Sequence, residues 1–345
     1  MAPRRLDPPA GGFREIAVVR LSSLGDIVLT LPVVHALRAA YPGAKLHYWV
    51  KEEFADLVRF DAAIDHVRVL EKDARRLEDL VSMSAELESC DLIVDLHGNS
   101  RSRLLTFRQK AAVLRAPSHR VARWRWVKAR WSAPAPVPSA LQRYAAALAP
   151  LGLAATGPPR LSCGGEAEAW AAEWMRAWAP AGAPVAMCPG ARHATKCWPE
   201  ERWCELDARL AAAGRPRLVF TTAAEKRVLP SLAARIDGDP AARWCCEPLP
   251  RMSALLSHAA GAVTHDSGLM HLSAARGLRV VALFGSTSPV LGFAPAGEGH
   301  EVICRNEECQ PCTLHGLAAC PRGHFDCMKR ITVEHVAAAL ERIAP

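Results

Sequence analysis

Two α/β halves, each a doubly wound parallel sheet, are the fold class this sequence predicts, and three observations predict it. Short apolar runs of strand length alternate with helical patterns along most of the chain. The rhythm breaks once, between residues 117 and 159, and then restarts. At 345 residues the chain is long for a single core, and half of its residues are hydrophobic, which is ample for two.

The first half begins with Glu15 to Arg20, an apolar run that reads as a buried strand. It meets Leu21-Ser-Ser-Leu-Gly-Asp26, then a helix carried by Leu31, Val34, Leu37 and Ala40 and stopped by Pro42-Gly43. Pro32 must stand in that helix's first turn or bend it. Lys45 to Val50 and Val67 to Leu70 read as strands, and Leu77 to Glu88 as a helix. Asp91 to Leu96 is a further buried strand, opening into the polar loop His97-Gly-Asn-Ser-Arg-Ser-Arg103. Residues 117–139 interrupt the alternation with four prolines, with Trp124, Trp126 and Trp131, and with Arg120, Arg123, Arg125, Lys128 and Arg130. A helix over Leu141 to Leu148 leads to the Gly/Pro-rich stretch Gly152 to Pro159, where the domain boundary is expected.

The second half repeats the rhythm. Glu166 to Trp178 is a helix, Val185 to Cys188 a strand, and Pro189-Gly-Ala-Arg-His-Ala-Thr-Lys196 a polar loop before Pro199 starts the next helix. Arg217 to Thr222 is a strand, Glu225 opens a helix, and residues 251–260 form a short one. From Ala262 the chain reads as strand end, tight turn, helix and a second strand running into Gly285-Ser-Thr-Ser-Pro289. Thr332 caps a terminal amphipathic helix to Ile343. The expected divisions are a disordered leader at 1–13, an N-terminal domain at 14–158, a C-terminal domain at 159–330 and the helix at 331–345.

Composition narrows the function classes. A net charge of +8 points toward anionic partners or reflects an Arg-preferring composition. Arg4 and Arg5 are followed by no apolar core or cleavage site, so no secretory signal is expected. The longer apolar stretches, such as Tyr144 to Ala155, are broken by Pro150 and Gly152 and are too short to span a bilayer. Twelve cysteines without an export signal argue for reduced thiols or a metal rather than disulfides, and hence for the cytoplasm. No Walker loop and no Gly-x-Gly-x-x-Gly follows any strand, which weighs against kinases, ATPases and dehydrogenases.

Several constellations carry chemistry. Asp266 reads as an N-cap, with Ser267 and Gly268 in the first turn, where free amides favour an anion, and His271 on the same face as Ser267. This loop and Gly285–Pro289 would emerge at one carboxyl edge of a parallel sheet, where α/β proteins bind ligands. Arg192 and Lys196 suit a diphosphate, though they also read as a solvated basic loop. Asp26 could take a proton from a substrate hydroxyl, or simply cap its helix. Cys309-Gln-Pro-Cys312 with Cys320 and Cys327 is compatible with a four-thiolate zinc or iron site, or with free cysteines packing a loop; the later pair is spaced too widely for a zinc ribbon. Asp237-Gly-Asp239 precedes Pro240 and reads as a turn. The Trp/Arg interleaving at 119–131 suits phosphates on nucleic acid or lipid, or an ordinary amphipathic helix.

Together these pieces resemble glycosyltransferase family 9, the ADP-heptose:lipopolysaccharide heptosyltransferases. The matching stretches are Arg20-Leu-Ser-Ser-Leu-Gly-Asp-Ile-Val-Leu-Thr-Leu-Pro32, Asp95-Leu-His-Gly98, Pro189-Gly-Ala-Arg192 with Lys196-Cys-Trp-Pro-Glu200, and Asp266-Ser-Gly-Leu-Met-His271 with Phe284-Gly-Ser-Thr-Ser-Pro289. They stand in family order, and Cys327-Met-Lys-Arg resembles heptosyltransferase II more than I. The resemblance implies a GT-B fold: two Rossmann-like domains with an interdomain cleft, acceptor on the N-terminal one and nucleotide-sugar on the C-terminal one.

It further implies inverting transfer of heptose from ADP-L-glycero-D-manno-heptose to the lipid A–Kdo inner core, at the inner face of the inner membrane, with that anionic surface as a partner and nucleic acid not. By the resemblance Asp26 is the general base and Lys196 binds the donor phosphates. Arg192, Asp266, Ser267, Gly268 and His271 contact the donor, Glu225 lies near the nucleoside and Met252 near the base. Arg101, Arg103 and the 119–131 segment are expected acceptor contacts, to phosphate and Kdo carboxylates. No metal is required for the chemistry, which agrees with reading Asp237 and Asp239 as a turn; a structural zinc or iron at Cys309, Cys312, Cys320 and Cys327 is the one cofactor expectation. Cys197 stands where the family commonly has arginine or histidine. A protein acceptor, such as an autotransporter, and a basic membrane- or nucleic-acid-binding protein that kept the fold but lost transfer are the alternatives; Asp26 and Lys196 argue against the second. Because the base and the donor site fall in different halves, the cleft must close around both substrates for transfer.

Overall fold

A computed structural model describes residues 5–71, 77–129 and 137–345, without the side chains of 77–81 and 129. The chain forms two compact units, Met1–Ser118 with Ala140–Cys163, and His119–Ser139 with Gly164–Pro345.

The first unit is built on the strands β1 (Glu15–Val19), β2 (Lys45–Lys51), β3 (His66–Leu70), β4 (Leu92–Asp95) and β5 (Ala112–Arg115), all parallel, in the order β3-β2-β1-β4-β5. Ile16 to Val19 and Leu92 to Asp95 are buried on both faces, as expected of continuous apolar runs at the centre of a parallel sheet. The helix Leu24–Ala40 buries ten residues, among them Ile27, Leu31, Val34 and Leu37. Pro32 stands inside this helix rather than in its first turn.

The second unit carries β6 (Val185–Cys188), β7 (Arg217–Phe220), β8 (Ala242–Cys245), β9 (Gly261–His265), β10 (Val280–Phe284) and β11 (Glu301–Cys304), again parallel, in the order β11-β10-β9-β6-β7-β8. Trp198 and Trp203 pack edge to face at 5.4 Å in its core, with Val185, Met187 and Val263. The terminal helix Val333–Ile343 adds Val336, Ala339 and Leu340 to that same core, so it is a layer of this unit and not a separate appendage.

In each sheet the strand order reverses beside the first strand of the unit, between β1 and β4 and between β6 and β9. Such switch points open a crevice at the carboxyl ends of the strands, the place where open α/β sheets bind ligands.

Several expectations change. Residues 5–13 are not a disordered leader: the Leu6 amide donates to the Pro150 carbonyl at 2.8 Å, and Phe13 is buried against Tyr41. Ser100–Leu105, expected as loop, is a helix capped by Asn99. Residues 120–129, expected to break the rhythm, form the helix Arg120–Ala129, which belongs with the second unit. Arg130 and Trp131 lie outside the described residues. Among the described residues no helix is long and apolar enough to cross a membrane.

Candidate active site

In the first unit the site grows from the turn between β1 and its helix. Asp26 is the third residue of that helix, and its Oδ2 accepts from the Ser23 hydroxyl at 2.8 Å and the Ser23 amide at 3.4 Å, closing a capping box. It does more than cap. The Arg20 guanidinium pairs with Oδ2 at 2.9 Å, and the Tyr144 hydroxyl donates to Oδ1 at 2.5 Å. Arg20 in turn donates to the Leu96 carbonyl at 2.6 Å, so it ties the loop after β1 to the loop after β4 across the switch point. Its guanidinium also lies 5.2 Å from the centre of the Tyr144 ring.

The electrostatics follow from these contacts. Burial alone would raise the Asp26 carboxyl, but the Arg20 charge and the hydrogen bonds from Tyr144 and Ser23 outweigh it and hold the group at about 2. Asp26 is therefore a fixed anion. His97, in the loop after β4, is pushed down to about 4 by burial and by the Arg20 charge, so its ring is neutral at neutral pH. Asp95, at the end of β4, is fully buried; it accepts from the His97 and Gly98 amides at 3.0 Å and from Ser102 at 3.1 Å, and so shapes that loop.

In the second unit the loops after β6, β9 and β10 converge. Lys196 ends a single 3-10 turn, Ala194–Lys196, and its Nζ pairs with Asp266 Oδ2 at 2.7 Å across the switch point. Thr287, in the loop after β10, donates to the same oxygen at 2.7 Å. Asp266 is thus not the helix cap that local sequence suggests. Ser267 takes that position, its Oγ buried and without a hydrogen-bond partner among the described residues, and the helix runs from Gly268 to Ala275. His265, at the end of β9, accepts the Trp198 amide at 2.8 Å and is driven down to about 4, chiefly by burial.

Two glycines let these loops meet. A Cβ on Gly285 would lie 2.6 Å from the Thr195 carbonyl oxygen, and one on Gly190 would lie 2.2 Å from Glu225 Oε1. Glu225 is pinned there because its other oxygen accepts from the Thr222 amide at 2.9 Å and the Thr222 hydroxyl at 3.0 Å.

Of the expected donor residues, Lys196, Asp266, Ser267 and Gly268 stand at the edges of β6 and β9, with His271 buried one turn into the helix. Glu225 lies over the Gly190 loop, Arg192 is exposed in it, and Met252 is buried in the helix Leu249–Leu256 at 6 % exposure. Arg101 and Arg103 are both exposed on the helix Ser100–Leu105. Two residues apart on a helix, they point to different sides and do not form one anion clamp. Arg20, Tyr144 and Thr287 were missed as site residues. Arg20 carried a readable signal, a cation at the end of an apolar strand six residues before Asp26, whereas Tyr144 is 118 residues away from Asp26.

Asp237 and Asp239 are spent on structure. Asp237 accepts from Lys226 at 2.9 Å and Trp244 at 3.0 Å, and Asp239 pairs with the buried Arg217. In the cysteine segment the Cys309 sulfur is 3.8 Å from His324 Nε2, and the buried Cys327 thiol is pushed up to about 12 by burial and by Cys312, Cys309 and Cys320 nearby. Among the described residues no three His, Cys, Asp or Glu stand close enough together to hold a metal. What the segment does is brace the loops after β6 and β10. Gln310 donates to the Phe284, Gly285 and Thr287 carbonyls at 3.1, 2.5 and 2.9 Å, and the Leu317 amide donates to Thr195 Oγ1 at 2.8 Å.

Comparison with known proteins places this arrangement. The model of glycosyltransferase family 9 (heptosyltransferase) matches residues 81–317. Lipopolysaccharide heptosyltransferase 1 of Pseudomonas aeruginosa is 26 % identical over 95 % of this chain and 97 % of its own length. Lipopolysaccharide heptosyltransferase 2 of Escherichia coli K12 is 32 % identical over 30 % of this chain and 32 % of its own, so both types appear among the relatives. The fold is shared with a family 9 glycosyltransferase from Veillonella parvula (TM-score 0.78, 21 % identity, 96 % of this chain and 97 % of that one) and with E. coli heptosyltransferase WaaC bound to ADP (TM-score 0.68, 22 % identity, 96 % and 100 %). With parallel-sheet units of the GT-B class, the chain is a glycosyltransferase and belongs to family 9.

Proposed function

We propose that this glycosyltransferase transfers a heptose from ADP-L-glycero-D-manno-heptose to the lipopolysaccharide inner core, with inversion at the anomeric carbon. The observation that carries the reading is the matched pair of charged sites at the two switch points, an anion in the first unit and a cation in the second. The names of the relatives supply the sugar and the acceptor class.

Each site has a separate task. Asp26 orients the acceptor hydroxyl and takes its proton as the oxygen attacks the anomeric carbon. The new C–O bond forms as the bond from that carbon to the β-phosphate oxygen breaks, and ADP leaves with the electron pair. The acceptor hydroxyl takes the place of Tyr144 at Oδ1, and exchanging that hydrogen bond raises the basicity of a carboxylate otherwise held at about 2. Lys196 moves from Asp266 to the diphosphate and neutralises the charge that builds on the leaving group, with the Gly268 helix start and Arg192 beside it. No step passes through a metal. The enzyme is expected to work in the cytoplasm at the inner face of the inner membrane, where its lipid A–Kdo acceptor is displayed.

The test is release of ADP from ADP-heptose in the presence of heptose-deficient lipopolysaccharide. Acceptor-dependent ADP release supports the reading; hydrolysis alone, or turnover only with a protein acceptor, overturns it.

A further inference from the structure

The loop that carries Lys196 is fastened on both sides of that residue. On one side Thr195 is buried. Its carbonyl accepts from the Ser286 amide at 3.1 Å, its hydroxyl lies 2.8 Å from Ser286 Oγ, and its amide donates to the Leu317 carbonyl at 3.1 Å. On the other side Trp198 is buried. Its indole Nε1 donates to the Ile331 carbonyl at 2.9 Å, and its backbone amide donates to His265 Nε2 at 2.8 Å.

The last of these bonds is placed in a telling way. His265 and Asp266 are consecutive at the end of β9, and they hold the same loop by different groups. The imidazole of His265 holds the backbone at Trp198, and the carboxylate of Asp266 holds the ammonium of Lys196 at 2.7 Å. A backbone N–H can only donate, so Nε2 of His265 carries its lone pair and the ring proton sits on Nδ1. The ring is fully buried and packs edge to face on Trp203 at 5.4 Å. Burial is the main reason that it is held at about 4, so at neutral pH it stays a neutral acceptor.

We propose that His265 is a positioning residue, which keeps the backbone beside Lys196 in place while the ammonium exchanges Asp266 for the donor diphosphate. The inference rests on the donor role given to Lys196. His265 acts through Trp198 and touches no substrate. A loop free to move would lose conformational entropy each time a diphosphate captured the ammonium, whereas an anchored backbone leaves only the lysine side chain to reset.

The test is a double-mutant cycle read by calorimetric titration of ADP. His265→Phe fills the space but leaves the buried Trp198 amide without its acceptor, and ADP should bind about tenfold more weakly. In the Lys196→Ala background the same substitution should cost less than about twofold, because the loop then has no ammonium to place. His265→Gln returns an acceptor to the Trp198 amide and should bind ADP within about threefold of wild type. If His265→Phe does not fold, the smaller His265→Leu replaces it in the cycle, with the same expected losses. An equal loss in both backgrounds marks a general scaffold role and overturns the inference. So does His265→Phe binding like wild type, or His265→Gln binding as weakly as His265→Phe. Wild type that binds no ADP overturns the donor role of Lys196 and this inference with it, whereas wild type that binds ADP but transfers no heptose overturns only the choice of sugar.

Discussion

The two units place a cation–carboxylate pair at the same point of the same topology, and use it in opposite ways. In the first, Arg20 and Tyr144 are fastened around Asp26, which sits on a seventeen-residue helix and is held as an anion by four donor groups. In the second, Lys196 ends a three-residue turn and pairs with Asp266, which also accepts from Thr287, and the proposed mechanism makes Lys196 the partner that moves. The difference teaches a division of labour: a preorganised base in one unit, and a transferable countercharge for a leaving diphosphate in the other.

Substitutions that unbalance each pair sharpen or break this comparison. Asp26→Asn keeps the shape and removes the anion; we expect turnover to fall about 10³-fold, the range of a lost general base. Because the carboxyl of the free enzyme is held at about 2, kcat/KM of the wild type, which reports the free enzyme, should show no acidic limb from this group above about pH 3. The sign for stability is the same. The stability that Asp26 contributes is present above its ordinary value of 3.8 and is lost as pH falls toward 2, and acid unfolding of Asp26→Asn should lack that component.

Lys196→Ala should lower kcat/KM about 10²-fold, the scale of one lost leaving-group contact. It also strands the Asp266 charge, so its melting temperature should fall as well. Gln310→Ala unties the loop that carries Thr287, and ADP affinity should weaken about tenfold while the pH profile stays unchanged. Tyr144→Phe removes one donor from Asp26 and raises its basicity; turnover should change by about threefold or less, the smallest effect among these substitutions. On the proposed mechanism, treatment with a chelator should leave turnover unchanged.

What was legible in the sequence was local. The run Ile16–Val19, the turn and the helix that presents Asp26 are contiguous, and their periodicity and capping chemistry specify them without reference to the rest of the chain. The same holds for β9, β10 and the polar loops at their ends. What was not legible depends on partners far away. Asp266 has every local feature of a cap, yet Lys196 and Thr287 claim its carboxylate. The strands β5, β8 and β11 are four residues each and include charged residues such as Arg115, Arg243 and Glu301, so no apolar run announces them. The helix Arg120–Ala129 was hidden by the prolines around it and by a pattern of cations and tryptophans that does not mark one apolar face. In the cysteine segment, Gln310 and the Leu317 amide tie down neighbouring loops, a role that the cysteine spacing does not announce.

The most direct test of the division of labour is calorimetric titration of ADP into wild type, Asp26→Asn and Lys196→Ala. The account predicts that Asp26→Asn binds ADP like wild type and that Lys196→Ala binds it at least about tenfold more weakly, the loss of one charge-assisted contact. Equal weakening by both substitutions, or none by Lys196→Ala, would contradict it.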